Sequence, residues 1–199
     1  MNNEIELLKI DLFPNQRVLF ISDTHFGHEN IIKYCNRPFA DVDSMDKELI
    51  DNWNQTVASD DIVIHNGDFA LGKKSIENYV SKLNGQIYIV RGNHDHWSDA
   101  KGVQFGFAKI FKKPVEFEIG GKTFFCCHAP EQIVNIGPQA DYLLYGHIHD
   151  KHWTDEINED NGQIHISEPK NALCICAEQL DYKPATMERV VDMIEKKNR

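Results

Sequence analysis

From Val18 to Ile21 the chain is apolar without interruption, and the run ends in Ser22, Asp23, Thr24 and His25. Ile62–His65, Gln86–Val90 and Tyr142–Tyr145 repeat the form, each followed by a polar loop containing glycine. Short continuous apolar runs of this kind predict buried strands. The segments between them read as helices. Asn30–Cys35 predicts a short one. Met45, Leu49, Trp53 and Val57 recur at every fourth position behind Ser44, which predicts an amphipathic helix with Ser44 as its cap. Ser75–Leu83 puts Ile76, Val80 and Leu83 on one face and stops before Gly85. Val115, Phe117 and Ile119 alternate with charged residues, and Gly120-Gly121 turns the chain into Lys122–Cys127, a hairpin pattern. Strands are expected again at Gln163–Ile166 and Ala172–Cys176, and Thr186 opens a last helix carrying Met187, Val190, Val191 and Ile194. Strand–helix alternation in the first half and strand-rich runs in the second predict an α/β domain with more than one sheet. No repeat, low-complexity tract or linker divides residues 1–199, so a single domain is expected.

Charge narrows the range of functions. A formal net charge of −10 gives no footprint for non-specific binding of nucleic acid or of anionic membrane. Such a chain can still act on phosphate esters if bound cations invert the local field. The N-terminal segment lacks the basic-then-apolar build of a signal peptide, and no apolar run approaches the roughly 20 residues that span a bilayer. Five cysteines, an odd number with no C-x-x-C pair, are expected to be reduced core residues, which fits a cytoplasmic protein.

Five apolar runs end in residues that bind metals or move protons: Asp23 and His25; Asp68 after Gly67; Asn93, His94 and Asp95; His128; and His147 and His149. On an extended segment, side chains at i and i+2 share a face, so His147 and His149 are expected to converge on one point, as are Asp23 and His25. Imidazole and carboxylate together form a shell suited to transition metals. Chance accounts easily for one such strand end and poorly for five. The Cys126-Cys127-His128 run is not read as a zinc site, because consecutive strand residues face opposite ways.

The ordered set D-x-H, G-D, G-N-H-D, H and G-H-x-H resembles the calcineurin-like metallophosphoesterases, over roughly Val18 to Asp150. The segments "DTHFGHENII", "RPF", "NWN" and "DYKP" are similar to a group of small bacterial and phage phosphoesterases within that superfamily. The resemblance implies an α/β fold of two mixed β-sheets forming a four-layer sandwich flanked by helices. It further implies two divalent transition-metal ions, Mn first, with Fe, Ni, Co or Zn as alternatives. Asp23, His25 and His149 would bind the first, Asn93, His128 and His147 the second, and the two oxygens of Asp68 would bridge them. The reaction would be in-line attack of a metal-bound hydroxide on a phosphodiester or phosphomonoester of a small molecule. His94 is expected to be the general acid, with Asp95 orienting its ring. His28, Arg37 and His96 are candidates for substrate contact, each with a surface role as the competing reading.

Two further readings stay open. One is a nuclease, which the acidic charge weakens. The other is a catalytically silent scaffold, which should have lost ligands that this chain retains. "GDFALGKK" lacks the arginine that protein serine/threonine phosphatases of the superfamily carry in that segment, which argues against a phosphoprotein substrate. Tyr34, Phe39, Trp97, Phe105 and Phe107 could stack on a substrate ring or simply pack. The acidic cluster Asp155, Glu156, Glu159 and Asp160 and the strand residue His165 are expected to face solvent. Oligomeric state is not indicated.

Overall fold

A computed structural model describes residues 5–71, 76–153 and 167–199. The strand expected at 163–166, His165 and the acidic cluster around 155–160 fall outside the described residues.

Two five-stranded mixed sheets form the body. The first runs β10 (Ala185–Thr186), β2 (Val18–Ile21), β3 (Ile62–His65), β4 (Gln86–Val90) and β5 (Lys109–Phe111). All neighbours in it are parallel except β10, which is antiparallel to β2. The second runs β1 (Glu6–Ile10), β6 (Val115–Ile119), β7 (Lys122–Cys126), β8 (Tyr142–Tyr145) and β9 (Ala172–Cys174), with β6 and β7 as the antiparallel hairpin. Every residue of β2 and β3 is buried, as uninterrupted apolar runs require of strands covered on both faces.

The sheets face each other through Phe20 and Phe124, whose ring centroids are 5.3 Å apart, and through Phe111 and Phe117 at 5.5 Å. Strand periodicity sends the next residue, Phe125, to the opposite face, where it joins Leu143, Tyr145 and Ile133 of α5 (Pro130–Ile136) in a second apolar cluster. On the other side, Met45, Leu49 and Trp53 of α2 (Val42–Thr56) join the main core, and α6 (Met187–Lys197) packs on β2, β9 and β10. Helices therefore cover the sandwich on both sides. None among the described residues is long and apolar enough to cross a membrane.

Local details differ from the sequence reading in physically simple ways. The cap of α2 is Asp41, not Ser44: Asp41 accepts from the Ser44 N–H, and Ser44 Oγ accepts from the Asp41 N–H. An aspartate three residues upstream supplies the stronger, charged acceptor. The helix expected over 75–83 is one turn, α3 (Glu77–Val80), with 72–75 outside the described residues. Among the described residues the remaining helices are α1 (Glu29–Tyr34), α4 (Asp99–Phe105) and a 3-10 turn at Ala177–Leu180.

Candidate metal centre

The five motif-bearing loops leave the carboxyl ends of β2, β3, β4, β7 and β8 and meet at one edge of the sandwich. Their backbones pack closely there. A Cβ on Gly67 would stand 2.2 Å from the Gly92 nitrogen, and one on Gly146 would stand 2.3 Å from Asp23 Oδ2. Only glycine lets these loops approach one another so nearly.

Asp23, His25, Asp68, His147 and His149 all take positive φ, between 50° and 73°. Aspartate and histidine tolerate that region better than most residues, yet each instance costs about 1–3 kcal/mol. These side chains are aimed by left-handed turns just past the strands and not by strand alternation. Asp23 and His25 converge as expected, whereas His147 and His149 fall in different donor groups. Donor atoms of Asp23, His25 and His149 lie within 4.8 Å of one another, and those of Asp68, His128 and His147 form a separate group of the same size. Asn93 joins the second, its Oδ1 2.8 Å from His128 Nε2.

Asp23 illustrates how the fold prepares a donor. Its Oδ2 accepts from Ser22 Oγ at 2.5 Å, His147 N–H at 2.9 Å and Cys176 Sγ at 3.3 Å. Its Oδ1 accepts no hydrogen bond among the described residues and stands 3.7 Å from the Nε2 atoms of both His25 and His149. Neither ring nitrogen of His25 has a hydrogen-bond partner among the described residues, although the residue is buried. Leaving such groups empty costs about 1–3 kcal/mol apiece. Convergent N and O donors left without hydrogen-bond partners among the described residues are what a divalent cation satisfies, so the residues fit the group.

Asp68 stands between the clusters. Its Oδ1 is taken by the His94 N–H at 2.8 Å. Its Oδ2 is 3.6 Å from His25 Nε2 and 3.4 Å from His128 Nε2, one histidine from each group. Oδ2 is thus the oxygen nearest histidines of both groups, while the backbone N–H on Oδ1 fixes the orientation of the carboxylate that would bridge two ions.

Charges respond to this crowding. Burial alone would lower the His128 pKa, but Asp23 and Asp68 outweigh it and raise it to about 9. His149 behaves likewise: burial is outweighed by hydrogen bonds with Cys35 and Glu178 and by the charge of Asp23, which raise it to about 11. Burial pushes the Asp23 carboxyl up, yet His128, His25 and His149 hold it well below the usual carboxylate range. Metal binding would have to displace ring protons, so loading should favour higher pH.

Three expected roles need correction. Arg37 is buried; its guanidinium donates to the carbonyls of Thr24 and Asp23 at 2.9 and 2.7 Å and to Glu178 Oε1 at 2.8 Å. It braces the first loop and cannot reach substrate. Asp95 does not orient the His94 ring, because its carboxylate accepts the N–H groups of Gly92, Asp68 and Phe69 and so clamps two loops together. His96 is exposed in the turn after His94 and is not among the residues that line the cavity above the clusters. His28 and His94 do line that cavity. Burial, then the charges of His25 and His94, lower His28 to about 4, so its ring is neutral.

Other contributors carried no motif signal. Glu178 Oε1 accepts from His149 Nδ1 at 3.0 Å, and the Cys35 thiol completes a third close group with them. Arg37 already neutralises Glu178, so this third group reads as a hydrogen-bonded support and not a further cation site. The Asn66 carbonyl accepts from His128 Nδ1 at 2.8 Å and from Ser22 Oγ at 2.9 Å. Gln132 Oε1 accepts the N–H groups of His128 and Ala129. Asn66 directly precedes Gly67-Asp68, a local signal that could have pointed to it.

A two-sheet α/β fold that gathers imidazoles and carboxylates at its strand ends is the architecture of metal-dependent phosphoesterases. Residues 17–168 match the calcineurin-like phosphoesterase superfamily domain, and the chain belongs to that superfamily. An uncharacterized protein of Methanocaldococcus jannaschii is 35% identical over 186 residues, 91% of this chain and 93% of its own length. The crystal structure of a protein of unknown function from Aquifex aeolicus is similar over 90% of this chain and all of its own, with 26% identity and a TM-score of 0.67. Family membership implies divalent metal ions, and the two donor groups are where this chain would hold them.

Proposed function

We propose that the protein hydrolyses a phosphodiester or phosphomonoester of a small phosphorylated molecule, using two divalent transition-metal ions, Mn2+ first among them. The observation that carries this is Asp68 Oδ2, which lies within 3.6 Å of a histidine from each donor group. Asp23, His25 and His149 would hold one ion, Asn93, His128 and His147 the other, and Asp68 both. Ions bound there supply charge neutralisation for the phosphate and acidity to a water molecule. The chain supplies the rest. The left-handed turns and the saturated Oδ2 of Asp23 keep the donors in place before substrate arrives. His94 is partly exposed on the cavity wall with its Nε2 3.9 Å from Asp68 Oδ2, a position from which it can give a proton to the departing alkoxide. All five cysteines are free and buried, which supports a reducing, cytoplasmic setting.

Metal analysis of the purified protein, followed by turnover of matched aryl monoester and diester substrates with and without chelator, tests this. Chelator should abolish turnover and Mn2+ should restore it. Full activity in chelator would overturn the proposal. In the same assay His94→Ala should slow esters of poor leaving groups about 10²–10⁴-fold and good ones far less; equal losses would remove its role as acid.

A further inference from the structure

Five aromatic side chains flank the site loops, and the structure sorts them. Phe39 packs edge-on to Tyr182 at 4.9 Å. Trp97 stacks on Phe107 at 5.2 Å and meets Phe105 at 5.8 Å. These four are bound up in packing. Tyr34 is not: at the end of α1 it is 72% exposed, with an edge contact to His28 at 6.2 Å.

Tyr34 stands on the wall of a cavity of about 470 Å³ whose floor carries His25, Asp68, His147 and His149. That size falls within the range of small-molecule sites. Ile31, Leu71 and Ile148 line the same cavity, and Leu71 is 36% exposed. Chemistry at the floor occupies one phosphoryl group. The wall beyond it is mixed: Asp150 and Lys151 also line the cavity, Ile31 and Ile148 are almost fully buried, and the Tyr34 ring and Leu71 are its exposed apolar surface. An exposed phenol ring beside the reacting centre, not needed by the fold for its own packing, suits a flat, poorly hydrated substituent.

We propose that Tyr34, with Leu71, binds a planar ring carried by the phosphoester. The substrate class is then phosphoesters bearing an aromatic or heteroaromatic group. The inference rests on the hydrolytic reading above, and its test separates the two. Calorimetric titration of the Mn2+-loaded protein compares phenylphosphonate with methylphosphonate. The phenyl compound should bind about three- to tenfold tighter, the scale of one ring pair. Tyr34→Ala should erase that advantage and Tyr34→Phe should keep it, both folding normally because the residue is exposed. Equal binding of the two phosphonates, or an advantage that survives Tyr34→Ala, overturns the inference. Turnover of 4-nitrophenyl phosphate and of bis(4-nitrophenyl) phosphate is followed alongside, with and without chelator. Failure of both, or insensitivity to chelator, sinks the hydrolytic reading, and the phosphonate pair still decides the ring preference alone.

Discussion

The two donor groups fix their histidines by different means. His149 Nδ1 leans on a carboxylate, Glu178, which is itself gripped by the Arg37 guanidinium that also binds the Asp23 and Thr24 carbonyls. His128 Nδ1 leans on the main-chain carbonyl of Asn66, at the exit of β3. Either partner leaves Nε2 as the nitrogen turned toward the cluster, and either satisfies the need for an outer partner that sets the ring's orientation. The difference lies in what sustains them. The carboxylate arm adds negative charge behind the ring and can be removed by one substitution. The carbonyl is built into the sheet and survives any change of its own side chain.

Asp68 is a donor of the second group and stands 3.6 Å from His25 of the first, so its loss should be the most severe. Asp68→Asn keeps an acceptor for the His94 N–H but removes the charge facing His25 and His128. Activity should fall by at least about 10²–10³-fold, the scale of losing a preorganised electrostatic partner. Calorimetry with Mn2+ should show both binding steps weakened. Two undisturbed steps would mean that the groups do not share this oxygen, and the comparison would then be between independent sites.

The next test bears on the carboxylate arm alone. Glu178→Ala should lower affinity for one Mn2+ about 10–100-fold and leave the other step unchanged. Glu178→Gln retains an acceptor for His149 and Arg37 and should recover much of that loss. The alanine variant also strands the buried Arg37, so its thermal stability must be measured beside the titration. If both steps weaken equally, Glu178 supports the fold as a whole and not one ring.

Much of this architecture was legible in the chain. β2, β3, β4 and β8 stood out because strands buried on both faces need unbroken apolar runs, and the hairpin because Glu116 and Glu118 alternate with buried residues. The strand ends named the donor residues, because few functions demand so many imidazoles and carboxylates at such places. The aim of each side chain was not legible. It is decided by positive φ at five donor residues, a conformation that sequence spacing does not encode. Nor was the role of Arg37 or Glu178. Their meeting joins residues 141 positions apart, and Arg37 looked like a phosphate ligand because nothing local revealed its burial. Edge strands β1, β5 and β10 were missed for a related reason: short, half-exposed segments such as Glu6–Ile10 carry little apolar signal.

The smallest expected effect is the most informative about the carbonyl arm. Asn66 is fully buried, and its side chain donates from Nδ2 to the Leu144 carbonyl at 2.8 Å. That carbonyl also accepts the Cys127 N–H at 3.0 Å, so it stays satisfied when the amide is removed. The Asn66 Oδ1 has no partner among the described residues, so its removal relieves a small penalty. Asn66→Ala should therefore cost about 1 kcal/mol in unfolding free energy, the net worth of one hydrogen bond. The main-chain oxygen that holds His128 is still present in that variant. Both Mn2+ steps should stay within about threefold of the parent protein, in contrast to the one-step loss in Glu178→Ala. A tenfold loss at the His128 step with the fold intact would show that the carbonyl is held in place by its own side chain, and the two arms would then be equally fragile.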